Sequence, residues 1–406
     1  MFTTTFPKII PQVLAVKLTV KGERSVRSGH PWIFSESVEK INKEGTAGDI
    51  AIIFSHNKNK AIGVGLYDPD SPIVIKMLHH EGGAKLDEVF FKEKIQRAYA
   101  LRLGLLETDT NSYRLLFGEN DGFPGLIADV YANVLVVKLY SAIWLPYLET
   151  ILKLLIAIST TETAVLRLSR TLQQKEKFPF IEGTILYGEL PDETILFKEH
   201  GVNFSANVIK GHKTGYFLDH RDNRRRVGEL SKGKTVLDVF SYAGGFSVHA
   251  LANNAKEVTS LDISEQALEL AKANGTLNKS NGVHITLAGD AFEVMKQLIN
   301  DQKRYDVVVI DPPSFAKRQK EITVAKKKYA QLAQLGEKLT ARGGLLVLAS
   351  CSSRISAEDF FQINKETLQM QPRTFSLQLK TSHDTDHPVS FPEGAYLKCG
   401  YYRFQE

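Results

Sequence analysis

Cysteine is nearly absent from this 406-residue chain, which carries only Cys351 and Cys399. Two cysteines cannot form the disulfide framework of a small secreted domain, and with no Cys/His quartet nearby they cannot build a structural zinc site. His383, Asp386 and His387 fall close together, but no further ligand completes a set, so no metal is expected. Long hydrophobic runs are missing as well: none reaches the roughly 18 residues that a membrane-spanning helix needs. The opening MFTTTFPKIIPQVLAV lacks the basic stretch, long apolar stretch and small-residue cleavage site of a secretory signal, so a cytoplasmic chain without a membrane partner is expected. Charge of either sign is only slightly in excess. With 51 Lys+Arg against 46 Asp+Glu, the net +5 permits a nucleic-acid partner without demonstrating one. What is present is ordinary for a globular protein: 43% hydrophobic and 24% charged residues, over a length that predicts two or three domains.

Residues 12–80 read as short strands, VLAVKLTV (13–20), GDIAIIFS (48–55), KAIGVGLYD (60–68) and SPIVIKML (71–78), broken by Gly, Asp and Pro turns. That spacing predicts a small β-barrel or sandwich. Trp32, Phe34 and His30 lie beside Lys21, Arg24 and Arg27, an interleaving that can stack bases and grip phosphates, although spacing alone favours a barrel plug. The spacing of apolar residues over 86–106 predicts a linking helix. Through about residue 205, strands such as 162–169 and 194–206 mix with a helix near 144–158, giving an α+β piece. From about 210 the pattern alternates: strands 234–241, 257–264, 283–290, 305–312 and 343–350, with helices such as 265–280 and 329–340 between them. Apolar strands separated by helices mean a doubly wound parallel sheet, and 374–380 and 395–404 add an antiparallel pair at its end. The expected domains are 1–82, 83–205 and 206–406.

Ligands of such a sheet bind outside the carboxyl ends of its strands. The first strand runs into Ser241-Tyr242-Ala243-Gly244-Gly245-Phe246, a small-residue turn that lets backbone approach a ligand, though it is not G-x-G-x-x-G. Asp262 ends the next strand, where a carboxylate can accept from both ribose hydroxyls, and Asp290 ends the third, where it can meet an adenine amino group beside Phe292. Either Asp alone reads as a helix N-cap; together with the turn, they point to a bound adenosine. The fourth strand ends in Asp311-Pro312-Pro313-Ser314-Phe315, a loop stiffened by two prolines and suited to a planar base. The fifth ends in Ser350-Cys351-Ser352, which sets a thiol at the same edge. A lone buried cysteine is usually inert, but one at a ligand crevice is a nucleophile candidate.

The motifs VLDVFSYAGGFSVHAL, LDIS, GDAF, DPPSF and LASCS resemble those of class I S-adenosylmethionine-dependent methyltransferases. With HKTGYFLDHRDNRR and DHPVSFPEGAYLK added, the chain resembles the bacterial and archaeal 23S ribosomal RNA cytosine-C5 methyltransferases. KGERSVRSGHPWIFSESV looks like the start of that family's PUA domain, a small RNA-binding barrel, and ENDGFPGLIADVY is similar to its central domain. One departure is His220 in LDHRD, where members usually carry Gln. The resemblance implies a PUA-like barrel, a central α+β domain and a Rossmann-like methyltransferase sheet. It implies S-adenosylmethionine held by Asp219, Arg221, Phe240, Ser241, Tyr242, Gly244, Gly245, Asp262, Ile263, Asp290, Ala291 and Asp311. It implies ribosomal RNA met by Trp32, Pro313, Phe315, Lys317 and Arg318.

For the chemistry, the resemblance assigns Cys351 as the nucleophile that adds to C6 of cytosine, with Asp311 on the base edge near N3. Ser314 stands where some RNA cytosine methyltransferases keep a second cysteine, so the base that removes the C5 proton is not visible. Arg224–Arg226 and Lys317, Arg318, Lys320 and Lys326–Lys328 are two basic clusters expected to hold phosphates. Alternatives are methylation of a guanine ring nitrogen, which needs no thiol, and a non-catalytic RNA-binding protein with a relic cofactor pocket. A homodimer is compatible with the sequence.

Overall fold

Period-two alternation shapes the N-terminal segment of the computed structural model, which describes residues Met1–Gln405. Its elements are β1 (Val13–Leu18), α1 (Val20–Arg27), β2 (Trp32–Ile33), β3 (Val38–Ile41), β4 (Ile50–Phe54), β5 (Ala61–Tyr67) and β6 (Ile75–His79). They form a six-stranded sheet in the order β2-β6-β5-β4-β1-β3, antiparallel except for β1 beside β4. Leu14, Val16, Ala51, Ile53, Ile75 and Met77 fill its core. Helix α1 escapes sequence reading because it buries only Gly22 and Val26 and leaves no apolar stripe; the Thr19 hydroxyl caps it at Gly22 N.

The chain continues through α2 (Glu88–Ala100), α3 (Leu103–Leu106), β7 (Ser112–Phe117), β8 (Leu126–Tyr131), β9 (Val134–Leu139), α4 (Leu148–Ser159), β10 (Thr163–Leu168), α5 (Arg170–Gln173) and β11 (Ile185–Tyr187). The expected helix over 86–106 is thus two helices. Between them Arg102 is fully buried, with its guanidinium donating to the carbonyls of Ala98 and Arg114 and to Asp121. A five-stranded sheet runs β11-β10-β9-β8-β7 and packs on α2 and α4 through Phe91, Phe123, Trp144 and Leu148. The strand expected over 194–206 is instead β12 (Thr194–Glu199) and β13 (Val202–Asn207), because His200 and Gly201 take positive φ and turn the chain.

The chain divides into two compact units. The first holds Met1–Lys198, Ser205–Leu218 and Thr385–Gly394; the second holds Glu199–Phe204, Asp219–Asp384 and Ala395–Glu406. In the second lie α6 (Arg221–Leu230), β14 (Thr235–Val239), α7 (Gly245–Ala252), β15 (Glu257–Asp262), α8 (Glu265–Thr276), β16 (Val283–Ala288), α9 (Ala291–Asn300) and β17 (Tyr305–Ile310). They are followed by α10 (Ile322–Leu339), β18 (Thr340–Ser350), α11 (Ala357–Gln369), β19 (Phe375–Thr381) and β20 (Lys398–Phe404). The sheet order is β16-β15-β14-β17-β18-β20-β19, parallel through β18 and antiparallel where β20 joins β18 and β19. Apolar clusters cover both faces, which is why the parallel strands read as continuous hydrophobic runs. Strand order reverses at β14, which pairs with both β15 and β17, so the crevice at the carboxyl ends of β14 and β17 is where such a sheet receives a ligand.

Candidate active site

The register Val239 to Leu261 and Val239 to Ile310 brings Phe240, Asp262 and Asp311 into line at one sheet edge. The loop after β14 is strained: Phe240, Tyr242 and Gly244 have φ of 64°, 46° and 77°. Left-handed backbone at two aromatic residues costs on the order of 1–3 kcal/mol each, a cost characteristic of ligand-binding turns. Gly244 is required, since a Cβ there would stand 2.8 Å from the Ala271 Cβ on α8. The loop is fixed by Asp262, whose Oδ2 accepts from Tyr242 N at 2.9 Å while Oδ1 accepts from Ser264 N at 2.9 Å. That leaves the outer lone pairs of a half-buried carboxylate for hydroxyl donors. Ile263 beside it is 75% exposed, an apolar side chain held in solvent next to a polar anchor. Asp290 caps α9 through Oδ1 to Phe292 N and Glu293 N; among the described residues Oδ2 accepts no hydrogen bond.

Two buried polar atoms at this loop have no hydrogen-bond partner among the described residues, Asp238 Oδ1 and Ser241 Oγ. Ser247 donates to Asp238 Oδ2 from both its amide and its hydroxyl, yet burial dominates and pushes the Asp238 carboxyl up to about 7. An orphaned carboxylate oxygen, an orphaned hydroxyl, a carboxylate with free lone pairs and an exposed apolar side chain are groups that an amino-acid-bearing adenosine can use. The residues therefore fit S-adenosylmethionine.

The Cys351 thiol points to the Pro312 carbonyl at 3.8 Å, so the end of β18 and the loop after β17 meet. Pro313 is exposed and Phe315 half-buried against Tyr329 and Phe292. Lys398 escaped notice in the sequence because it sits inside an apolar strand. Its ammonium is buried beside Cys351, donating to the carbonyls of Ile355 at 2.6 Å and Tyr396 at 3.1 Å and to that of Ser352. Burial pulls it down to about 8 against the raising effect of the neighbouring thiol. Cys399, on the same strand, is fully buried and its thiol is pushed up by burial, an inert packing role.

Asp219 accepts from the Tyr396 hydroxyl at 2.9 Å, and the fully buried Arg221 donates to Asp384 at 3.0 Å. Both expected cofactor residues thus hold the tail against the start of α6. The arginine cluster requires correction. Arg224 is buried in a two-pronged pair with Glu199, which also meets His249 at 2.9 Å, and Arg225 and Arg226 pair with Asp222. Arg224 is thereby spent inside the unit and cannot grip a phosphate, while Arg225 and Arg226 stay partly exposed in their pairs with Asp222. In the second cluster Lys326 pairs with Asp359 and Lys328 lies over the Phe315 ring, while Lys317, Arg318, Lys320 and Lys327 are exposed. Trp32 donates to Glu119 at 3.1 Å and packs edge-on against Phe391. No group of three metal-ligating side chains occurs among the described residues, and no helix there is long and apolar enough to cross a membrane.

Residues 113–394 match the S-adenosylmethionine-dependent methyltransferase family, and residues 16–80 match a PUA-like domain. A Deinococcus radiodurans protein named ribosomal RNA large subunit methyltransferase is 41% identical over 393 residues, 95% of this chain and 96% of its own. A Shewanella amazonensis protein named ribosomal RNA large subunit methyltransferase I is 34% identical over 390 residues, 95% of this chain and 98% of its own. Among solved structures, a chain assigned as an S-adenosylmethionine-dependent methyltransferase from Streptococcus mutans shares the fold. It has a TM-score of 0.79 at 21% identity, over 96% of this chain and 99% of its own. Another, described as complexed with SAH, has a TM-score of 0.80 at 21% identity, over 97% and 100%. The chain accordingly belongs to the S-adenosylmethionine-dependent methyltransferases with an N-terminal PUA-like domain.

Proposed function

We propose that this enzyme methylates C5 of a cytosine in 23S ribosomal RNA through a covalent bond from Cys351 to C6. The observation that carries the reading is the meeting of the Cys351 thiol with the Asp311-Pro312-Pro313 loop, 3.8 Å from sulfur to the Pro312 oxygen. A guanine nitrogen needs no thiol there, whereas C5 of cytosine is too poor a nucleophile to be methylated without one. The names of the relatives support ribosomal RNA as the substrate.

When bound, S-adenosylmethionine supplies an electrophilic methyl group. Asp262, Asp290, Ile263 and the loop Phe240–Gly245 would hold it, with Asp238 and Ser241 offering their orphaned polar atoms. Cys351 bonds to C6, which gives C5 the electron density it lacks. Asp311, meeting the base edge near N3, donates a proton there as the thiolate adds, which offsets the negative charge that the addition drives into the ring. With C5 now bearing the methyl group, its proton passes to water, the C5–H electron pair restores the ring double bond, the C6–S bond breaks with the sulfur leaving as thiolate, and N3 returns its proton to Asp311. Pro313 and Phe315 hold the base, Lys317 and Arg318 meet phosphates, and residues 1–82 with Trp32 serve as an RNA-binding module ahead of the central (83–205) and catalytic (206–406) segments.

Cys351→Ala tests this reading. The expected result is loss of at least 10³-fold in kcat with the dissociation constant for S-adenosylmethionine within about twofold. Survival of methylation in that variant overturns it.

A further inference from the structure

His220 stands at the entrance to α6, buried, with its ring 5.6 Å from Phe246. Its two nitrogens face different partners. Nδ1 lies 3.1 Å from Asn223 Nδ2; Nε2 lies 3.4 Å from Asp311 Oδ1 and has no hydrogen bond among the described residues. Which nitrogen carries the proton is fixed by Asn223. Its Oδ1 accepts from the Thr381 hydroxyl at 2.6 Å and from the Tyr401 hydroxyl at 2.9 Å. A separation of 2.6 Å suits O–H to O and is too short for an amide N–H to O. The amide oxygen therefore faces the hydroxyls, and the amide nitrogen donates to His220 Nδ1. Nδ1 is then an acceptor, so the proton of the neutral ring sits on Nε2, directed at the Asp311 carboxylate. The reverse amide would set a bare Nε2 lone pair against a carboxylate oxygen.

We propose that His220 is a positioning residue, which as the Nε2–H tautomer holds the Asp311 carboxylate in the orientation that meets the substrate base. The inference rests on the proposed role of Asp311. His220 does not supply the proton: a neutral imidazole giving up Nε2–H becomes an anion, and no base stands behind it, since Nδ1 faces an amide N–H. The contact at 3.4 Å is long for a hydrogen bond, as catalytic contacts often are before substrate closes on them. Asn223, Thr381 and Tyr401 form the support that keeps the ring in this tautomer.

The test uses the full-length enzyme and protein-free large-subunit ribosomal RNA from cells lacking the gene. It reads 5-methylcytidine formation together with the S-adenosylmethionine dissociation constant and the thermal midpoint. His220→Gln, whose amide N–H reaches the same side, is expected to keep kcat within about threefold. His220→Phe and His220→Leu, which keep bulk but lose the donor, are expected to lower kcat about 10- to 100-fold with KM for RNA and cofactor affinity within about twofold. A folded apolar variant with wild-type kcat overturns the inference, as does His220→Gln falling as far as the apolar pair. If both apolar variants fail to fold, the Gln variant decides. Absence of 5-methylcytidine from the wild-type reaction is a separate outcome, which removes the cytosine reading itself.

Discussion

Single side chains at the carboxyl edge of the sheet carry opposing demands of folding and binding. Asp238 is the sharpest case, because its folded carboxyl titrates near 7 while an unfolded Asp titrates near ~3.9. A folded value above the unfolded one means that the stabilising protonated form is fully present below about pH 4. That contribution is lost as pH rises through 7, on the order of 4 kcal/mol at most for a shift of about three units. Asp238→Asn removes the titration, so its thermal midpoint relative to wild type is expected to climb between pH 5 and pH 8. A constant difference across that range contradicts the burial account. Gly244→Ala is expected to cost about 1–3 kcal/mol and weaken cofactor binding, because φ of 77° and the Ala271 contact both oppose a Cβ. Calorimetric titration with S-adenosylmethionine and a denaturation curve check both parts. The places of Asp262, Asp311 and Cys351 at the sheet edge were legible in the sequence because each directly follows or ends a hydrophobic strand. Lys398 was not, because its partners are backbone carbonyls that a sequence does not display.

Elements explain where reading along the chain failed. Strand alternation and helical runs marked β4, β5, β14, β17 and α8 closely, since each buries one face or both. Helix α1 and the turn between β12 and β13 stayed hidden, the first for lack of an apolar stripe and the second because His200 is no usual turn signal. Helix α6 misled for a different reason. Its three consecutive arginines look like a phosphate grip, but one faces inward to Glu199, and helical geometry turns the other two toward Asp222. Burial alone would raise the Glu199 carboxyl; the Arg224 guanidinium overrides it and holds the group well below the usual carboxylate range. A lowered folded value gives stability present above the unfolded ~4.3 and lost as pH falls. Arg224→Met strands that carboxylate and is expected to destabilise by about 3–5 kcal/mol, read by chemical denaturation at pH 7. A loss under 1 kcal/mol would mean that the pair is not sealed from water.

At the scale of the whole molecule, a modest net +5 resolves into charges paired within the fold and exposed ones, among them Lys317, Arg318, Lys320 and Lys327 after the Asp311 loop. Replacing Lys317 and Arg318 together with Ala is expected to lower the slope of log affinity against log salt by about 1–2, with cofactor affinity unchanged; Arg225→Ala leaves that slope alone. Filter binding across a salt series checks both. The family was legible in the motifs, while the division of the tail was not: Thr385–Gly394 belongs to the first unit and Ala395 onward to the second, a path that no local pattern encodes. The most direct test of the central claim is mass spectrometry of nucleosides from 23S ribosomal RNA of cells with and without the gene. The expected result is one 5-methylcytidine lost on deletion, restored by the wild-type gene and not by Cys351→Ala. Loss of a methylguanosine instead, or restoration by the alanine variant, would contradict it.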